Sequence, residues 1–128
     1  MKVYEYLTIK FSNLDEVKTV LKKFNNSQIN IIWSFESLSW QGPHMMKQFN
    51  LLLNDKRINF IAEVGENIGL ALTLIELEIK KISVSTNLDK NLREKIESLA
   101  KKQGIDVLIT QRFKKIQTIS ELMRDFKQ

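Results

Sequence analysis

The chain has no cysteine, which removes disulfides, thiolate metal sites and cysteine nucleophiles together and agrees with a reducing compartment. Cytoplasm is the expected location. Histidine occurs once, at His44, and proline once, at Pro43, so neither a histidine-rich metal site nor a proline-rich segment can be built. No long hydrophobic run is present: the most apolar stretch, Ile68 to Ile79, carries Glu76 and Glu78 and is too short to cross a bilayer. The N-terminus mixes charges with aromatics and does not read as a signal peptide. No membrane contact is expected. Charge of one sign is in mild excess, +5 formally, which permits acidic partners without demanding them.

What is there suits one α/β domain. A length of 128 residues with 43% hydrophobic content is enough to bury a core without disulfide or metal staples. Residues 2–11 alternate, with Val3, Leu7, Ile9 and Phe11 on one face and Tyr4, Tyr6, Thr8 and Lys10 on the other, as an outer strand does. Asn13 and Glu16 have capping-box spacing, and Leu14, Val17, Leu21 and Phe24 continue at helical period. Ile29 to Trp33 reads as a second strand, followed by a long loop up to Pro43, which starts a helix striped by Met45, Met46, Phe49, Leu52 and Leu53. Ile58 to Val64 is the strongest buried-strand candidate, and the helix from about Asn67 is apolar nearly all round. Lys81 to Thr86, a helix over residues 90–103 closed by Gly104, and Ile105 to Thr110 complete the pattern.

The order βαβαβαβαβ predicts a three-layer sandwich, a mostly parallel five-stranded sheet with helices on both faces. Residues 1–112 form this domain. Residues 113–128 are expected to be an amphipathic helical tail, signalled by the Thr118 and Glu121 capping box and by Ile119, Leu122, Met123 and Phe126.

Ligands of parallel sheets bind beyond the carboxyl ends of the strands. Three loops reach that edge. Residues 33–44 combine Trp33, Glu36, Trp40 and His44, the composition of a small-molecule cleft, although indoles also seal core ends. Residues 65–69 lack both Gly-rich phosphate spacings, and Glu66 would repel a phosphate. Glu63 stands just before this loop and Asn67 within it, where an ordinary cap is the alternative to a ligand contact. Ser85, before Asn87 and Asp89, poses the same choice. One histidine without cysteine makes no zinc site, and no nucleophile-elbow spacing supports a hydrolytic triad. The candidate ligand set is therefore Trp33, Glu36, Trp40, His44, Glu63, Asn67 and Ser85, with no catalytic residue, metal or cofactor expected.

Lys22-Lys23, Lys56-Arg57, Lys80-Lys81 and Lys101-Lys102 fall at or near helix C-terminal ends, where the helix dipole accounts for them. Nucleic acid is correspondingly disfavoured. The apolar third helix and the tail stripe instead predict a homo-oligomer, most simply a dimer, with a protein partner as the other expected contact.

The run Glu63-Val64-Gly65-Glu66-Asn67-Ile68-Gly69-Leu70-Ala71-Leu72, followed by Lys80-Lys81-Ile82-Ser83-Val84, resembles a group of small bacterial α/β proteins of unassigned activity. From Gly69-Leu70 onward it also resembles the second half of STAS-type domains, which are binding modules. That family's regulatory Asp-Ser before the helix is replaced by Glu66-Asn67, so phosphorylation is not implied. These observations lead to a non-catalytic binding or assembly module, or alternatively a small-molecule enzyme or ligand-binding protein using residues 33–44.

Overall fold

Short β-branched runs alternate with amphipathic segments, and the chain takes them in the order the sequence suggests. The computed structural model describes residues 2–11, 14–23, 28–36, 38, 42–52 and 56–126. The elements are β1 (Leu7–Phe11), α1 (Leu14–Lys23), β2 (Ile29–Trp33), α2 (Pro43–Leu52), β3 (Ile58–Gly65), α3 (Ile68–Glu76), β4 (Lys81–Val84), α4 (Lys90–Lys102), β5 (Asp106–Ile109), β6 (Ile116–Thr118) and α5 (Ile119–Phe126). 3-10 turns at Lys2–Glu5 and Thr110–Arg112 precede β1 and follow β5. The first strand is thus shorter than its alternation suggested. Backbone carbonyls that a longer strand would use are engaged elsewhere: that of Val3 accepts from Asn30 Nδ2, and that of Tyr4 from the Lys114 N–H.

All strand pairs are parallel, in the order β5-β4-β3-β2-β1-β6. The expected count of five is corrected to six. The extra strand comes from the segment read as a helical tail, where Ile116 to Thr118 pairs with Thr8 to Lys10. Three residues with one apolar side chain carry no readable period. They form a strand because the outer edge of β1 presents backbone groups that need partners. The Thr118 cap does open α5, its hydroxyl accepting the Glu121 N–H at 3.2 Å.

Side-chain alternation gives the sheet two different faces. Ile9, Ile29, Ile31, Trp33, Ala62, Val64, Ile82 and Val84 share one core with Val17 and Val20 of α1, Met46 of α2, Ala71, Leu74 and Ile75 of α3, Ile96 and Ala100 of α4, and Leu122 of α5. On the other face Ile32, Ile61 and Leu108 pack with Phe113, Val3, Tyr4 and Ile116. Among the described residues no α-helix contributes to that second cluster, so the expectation of helices on both faces is corrected. The cause is strand order. Right-handed crossovers between strands laid down consecutively, β1 through β5, put every helix on the same side, whereas a two-sided arrangement requires the order to reverse. This one-sided layer also explains the apolar character of α3, which lies against β3 with α2 and α4 as neighbours.

The sheet is curled. β5 and β6 occupy opposite edges, yet only Thr110–Lys115 joins them. A flat six-stranded sheet spans about 24 Å across its strand gaps. A link of this length reaches at most about 25 Å even fully extended. Here part of it is coiled into a 3-10 turn, and it must also run back along the strand direction to start β6 in parallel. The edges must therefore approach each other around the Tyr4 and Phe113 side of the sheet. Tyr4 is in contact with both: its hydroxyl accepts the N–H of Ile109 at 2.9 Å, and its carbonyl accepts that of Lys114 at 3.0 Å. Consecutive parallel strands thus carry the helices on one face of a curled sheet and the cluster of Ile32, Ile61, Leu108 and Phe113 on the other.

Candidate functional site

The parallel arrangement gathers the loops that follow the strands at one rim, together with the N-terminal ends of the helices. On the inner face of that rim, Lys10 of β1 reaches across β2 to Glu63 of β3, with Nζ 3.2 Å from Oε2. The lysine side chain is 38% exposed and the carboxylate 14%, so Glu63 is mostly withdrawn from water and needs compensating donors. It has a second one. The Phe35 N–H donates to Oε1 at 3.0 Å, and one carboxylate thereby joins two strands and fixes the chain leaving β2.

Beside Glu63 in the register stands Ser83, fully buried. The Thr110 hydroxyl donates to Ser83 Oγ at 3.0 Å and lies 3.3 Å from the Val84 carbonyl oxygen. Farther along, Gln111 bridges the turn after β4. Its Oε1 accepts from Thr86 N at 2.9 Å and Thr86 Oγ1 at 3.1 Å, while its Nε2 donates to Ser85 Oγ at 3.2 Å.

These contacts sort the sequence candidates. Asn67 is the N-cap of α3, its Oδ1 accepting the Leu70 N–H at 2.9 Å. Ser85 is taken up by its own turn, its Oγ accepting from Asn87 N at 3.1 Å as well as from Gln111. Trp33 is 1% exposed and belongs to the helix-side core, so its ring seals that core and is not presented at the rim. Glu36 is exposed after β2, and His44 is exposed in the first turn of α2. Trp40 lies outside the described residues. Glu63 is the candidate that structure ties to the loop after Trp33. Among the described residues no group of three or more His, Asp or Glu side chains could hold a metal ion.

Lys10, Thr110 and Gln111 are the rim residues that the sequence reading missed. Lys10 did carry a signal, since it falls on the polar side of the β1 alternation near the strand's carboxyl end. Its partner was not readable without knowing that β1 and β3 flank β2.

No family model and no curated sequence matches the chain. Among solved structures, it is similar to the crystal structure of a putative fructose-1,6-biphosphate aldolase from Coccidioides immitis, with a TM-score of 0.67 and 11% sequence identity. The match covers 80% of this chain and 44% of that one. Such a likeness shows the fold alone, an α/β architecture, and the chain spans less than half the length of that structure.

Proposed function

We propose that the protein is a non-catalytic binding module whose ligand, a neutral or cationic small molecule, sits at the carboxyl rim of the sheet over Glu63. The observation that carries this reading is the pair of donors on Glu63. A lysine and a backbone N–H already occupy the carboxylate, so an incoming ammonium or hydroxyl can replace Lys10 without leaving the carboxylate uncompensated. Glu66 and Glu36, both exposed at this end, add negative potential that disfavours phosphate. The half-buried Thr110 hydroxyl, held by Ser83, offers a further polar contact, and the resemblance to STAS-type domains points to binding in the same way.

A thermal-shift screen of amines, polyols and amino acids against phosphates and nucleotides tests the assignment. Expected is stabilisation by members of the first group that Glu63→Gln abolishes. Stabilisation by the amines or polyols that survives Glu63→Gln, or none by any of them, would overturn it.

Assembly is the second reading, favoured by the outer helical layer. Met45 and Leu51 of α2, Leu72 of α3 and Leu99 of α4 remain exposed by 45%, 71%, 39% and 42%, and a homodimer would cover such side chains.

A further inference from the structure

The opposite rim, where the strands begin, has a charge pattern of its own. The chain contains five adjacent pairs of basic residues: Lys22-Lys23, Lys56-Arg57, Lys80-Lys81, Lys101-Lys102 and Lys114-Lys115. Each comes shortly before or at the start of one strand, from β2 to β6 in turn. Because all six strands are parallel, all five pairs come to the same edge. The fifth joins the others only because residues 116–118 form a strand. Half of the chain's 20 Lys and Arg residues therefore stand along one curved rim, and those with described side chains are exposed or half-exposed.

Helix dipoles do not account for this placement. α2 and α3 have no basic residue in their last turns, and Lys56 and Lys80 stand beyond those turns, where the dipole effect has faded. Lys114-Lys115 follow a 3-10 turn and no α-helix. Only Lys22-Lys23 and Lys101-Lys102 lie in the final turn of an α-helix, so the dipole explanation drawn from sequence for four pairs holds for two of them. Opposing charge at this edge is sparse among the described residues. Asp106 lies 3.6 Å from Lys81, and Glu5, Glu76 and Glu78 are exposed. Cations that outnumber the carboxylates around them repel one another, and the arrangement gains when an anionic partner replaces the counterions.

We propose that this amino-end rim binds the phosphodiester backbone of a nucleic acid duplex. Regular spacing favours a regular polyanion: four pairs enter on adjacent strands, β2 to β5, set about 4.8 Å apart, and the fifth enters on β6, on the far side of β1. Duplex geometry is favoured over a single strand because base stacking needs exposed rings. Among the described residues the exposed aromatic side chain, Phe35, follows β2 at the other rim. Contacts to phosphates alone carry no sequence information, so binding is independent of sequence and strongly salt-dependent.

Fluorescence anisotropy with a labelled duplex of about 20 base pairs tests this, in salt raised from about 50 to about 200 mM. If about four phosphates are neutralised, affinity falls about 100-fold across that range. Replacing Lys114→Gln and Lys115→Gln together should lower the salt slope by nearly two, with an unchanged melting temperature showing that the fold is intact. A second variant, Lys80→Gln with Lys56→Gln, should do the same from two other strands. The proposal is overturned by absence of binding at the lowest salt or by a slope that neither variant changes. Tighter binding to polyglutamate or to anionic vesicles than to the duplex would also overturn it.

Discussion

The Tyr4 hydroxyl accepts the backbone N–H of Ile109 across 105 residues of sequence, and the Tyr4 ring meets that of Phe113 edge to face with centroids 4.9 Å apart. The start of the chain is thereby fastened to the end of β5 and to the link that leads into β6. Removing the hydroxyl alone, Tyr4→Phe, should cost about 1 kcal/mol through the N–H it leaves without an acceptor. Tyr4→Ala also removes the ring and should cost about 3 kcal/mol. Urea denaturation of the two variants measures the difference; an unchanged stability in Tyr4→Phe would show that the hydrogen bond contributes nothing, and equal losses that the ring contributes nothing.

Glu78 and Gly104 occupy equivalent positions with different suitability. After α3, Ile79 N bonds to Leu74 O and Glu78 N to Ile75 O; after α4, Ile105 N bonds to Ala100 O and Gly104 N to Lys101 O. Both are Schellman closures, with φ of 60° at Glu78 and 69° at Gly104. A side chain is strained in that region, so Glu78→Gly should stabilise the protein by about 0.5–1 kcal/mol and Gly104→Ala should destabilise it by about 1 kcal/mol. Thermal unfolding of both variants checks the opposite signs.

Asn67 and Glu63 separate scaffold from site. Asn67→Ala removes the cap of α3 and should lower stability by about 1 kcal/mol while leaving any rim ligand's affinity unaltered once the protein is folded. Glu63→Gln should do the reverse, because its partner Lys10 can turn to water and a partly exposed ion pair contributes at most about 1 kcal/mol. Paired unfolding and titration experiments distinguish the two; an affinity loss in Asn67→Ala would place that amide in the ligand contact.

The homodimer is tested by light scattering. A two-fold dimer at micromolar concentration, converted to monomer by Leu51→Glu with Leu72→Glu, is the expected result. A monomeric mass for the unaltered protein would remove the assembly reading, and the exposed leucines would then be ordinary surface residues.

Much of the fold was legible because its signals are local. The β-branched run at β2 and the period of α4 belong to single segments, and the Gly104 stop and the Thr118 cap are set by immediate neighbours. Strand order is not local. Nothing in β5 or β6 states that they lie at opposite edges of the sheet, and that order decides both which face the helices cover and that the sheet must curl. The site failed to read for the same reason. Lys10 and Glu63 are neighbours only because β2 separates their strands by one position, whereas Asn67 and Ser85 looked like ligand residues because cap and turn residues are the same small polar types that bind ligands. For Trp33 aromatic character left a cleft and a sealed core end both open, and parity with Ile29 and Ile31 puts it in the core.

The pairing of β1 with β6 has a bearing on synthesis. During vectorial translation, β2 to β5 can add to β1 in turn, each extending the sheet from the preceding strand. The other edge of β1 stays open until the last part of this chain has emerged. Until then Leu7, Ile9 and Phe11 belong to a strand with one unpaired ladder, a template on which another nascent chain could add. Lys10, a charge within that exposed strand, is the kind of residue that hinders such pairing. The lysine that meets Glu63 in the finished protein would therefore act earlier as a guard on an unfinished one.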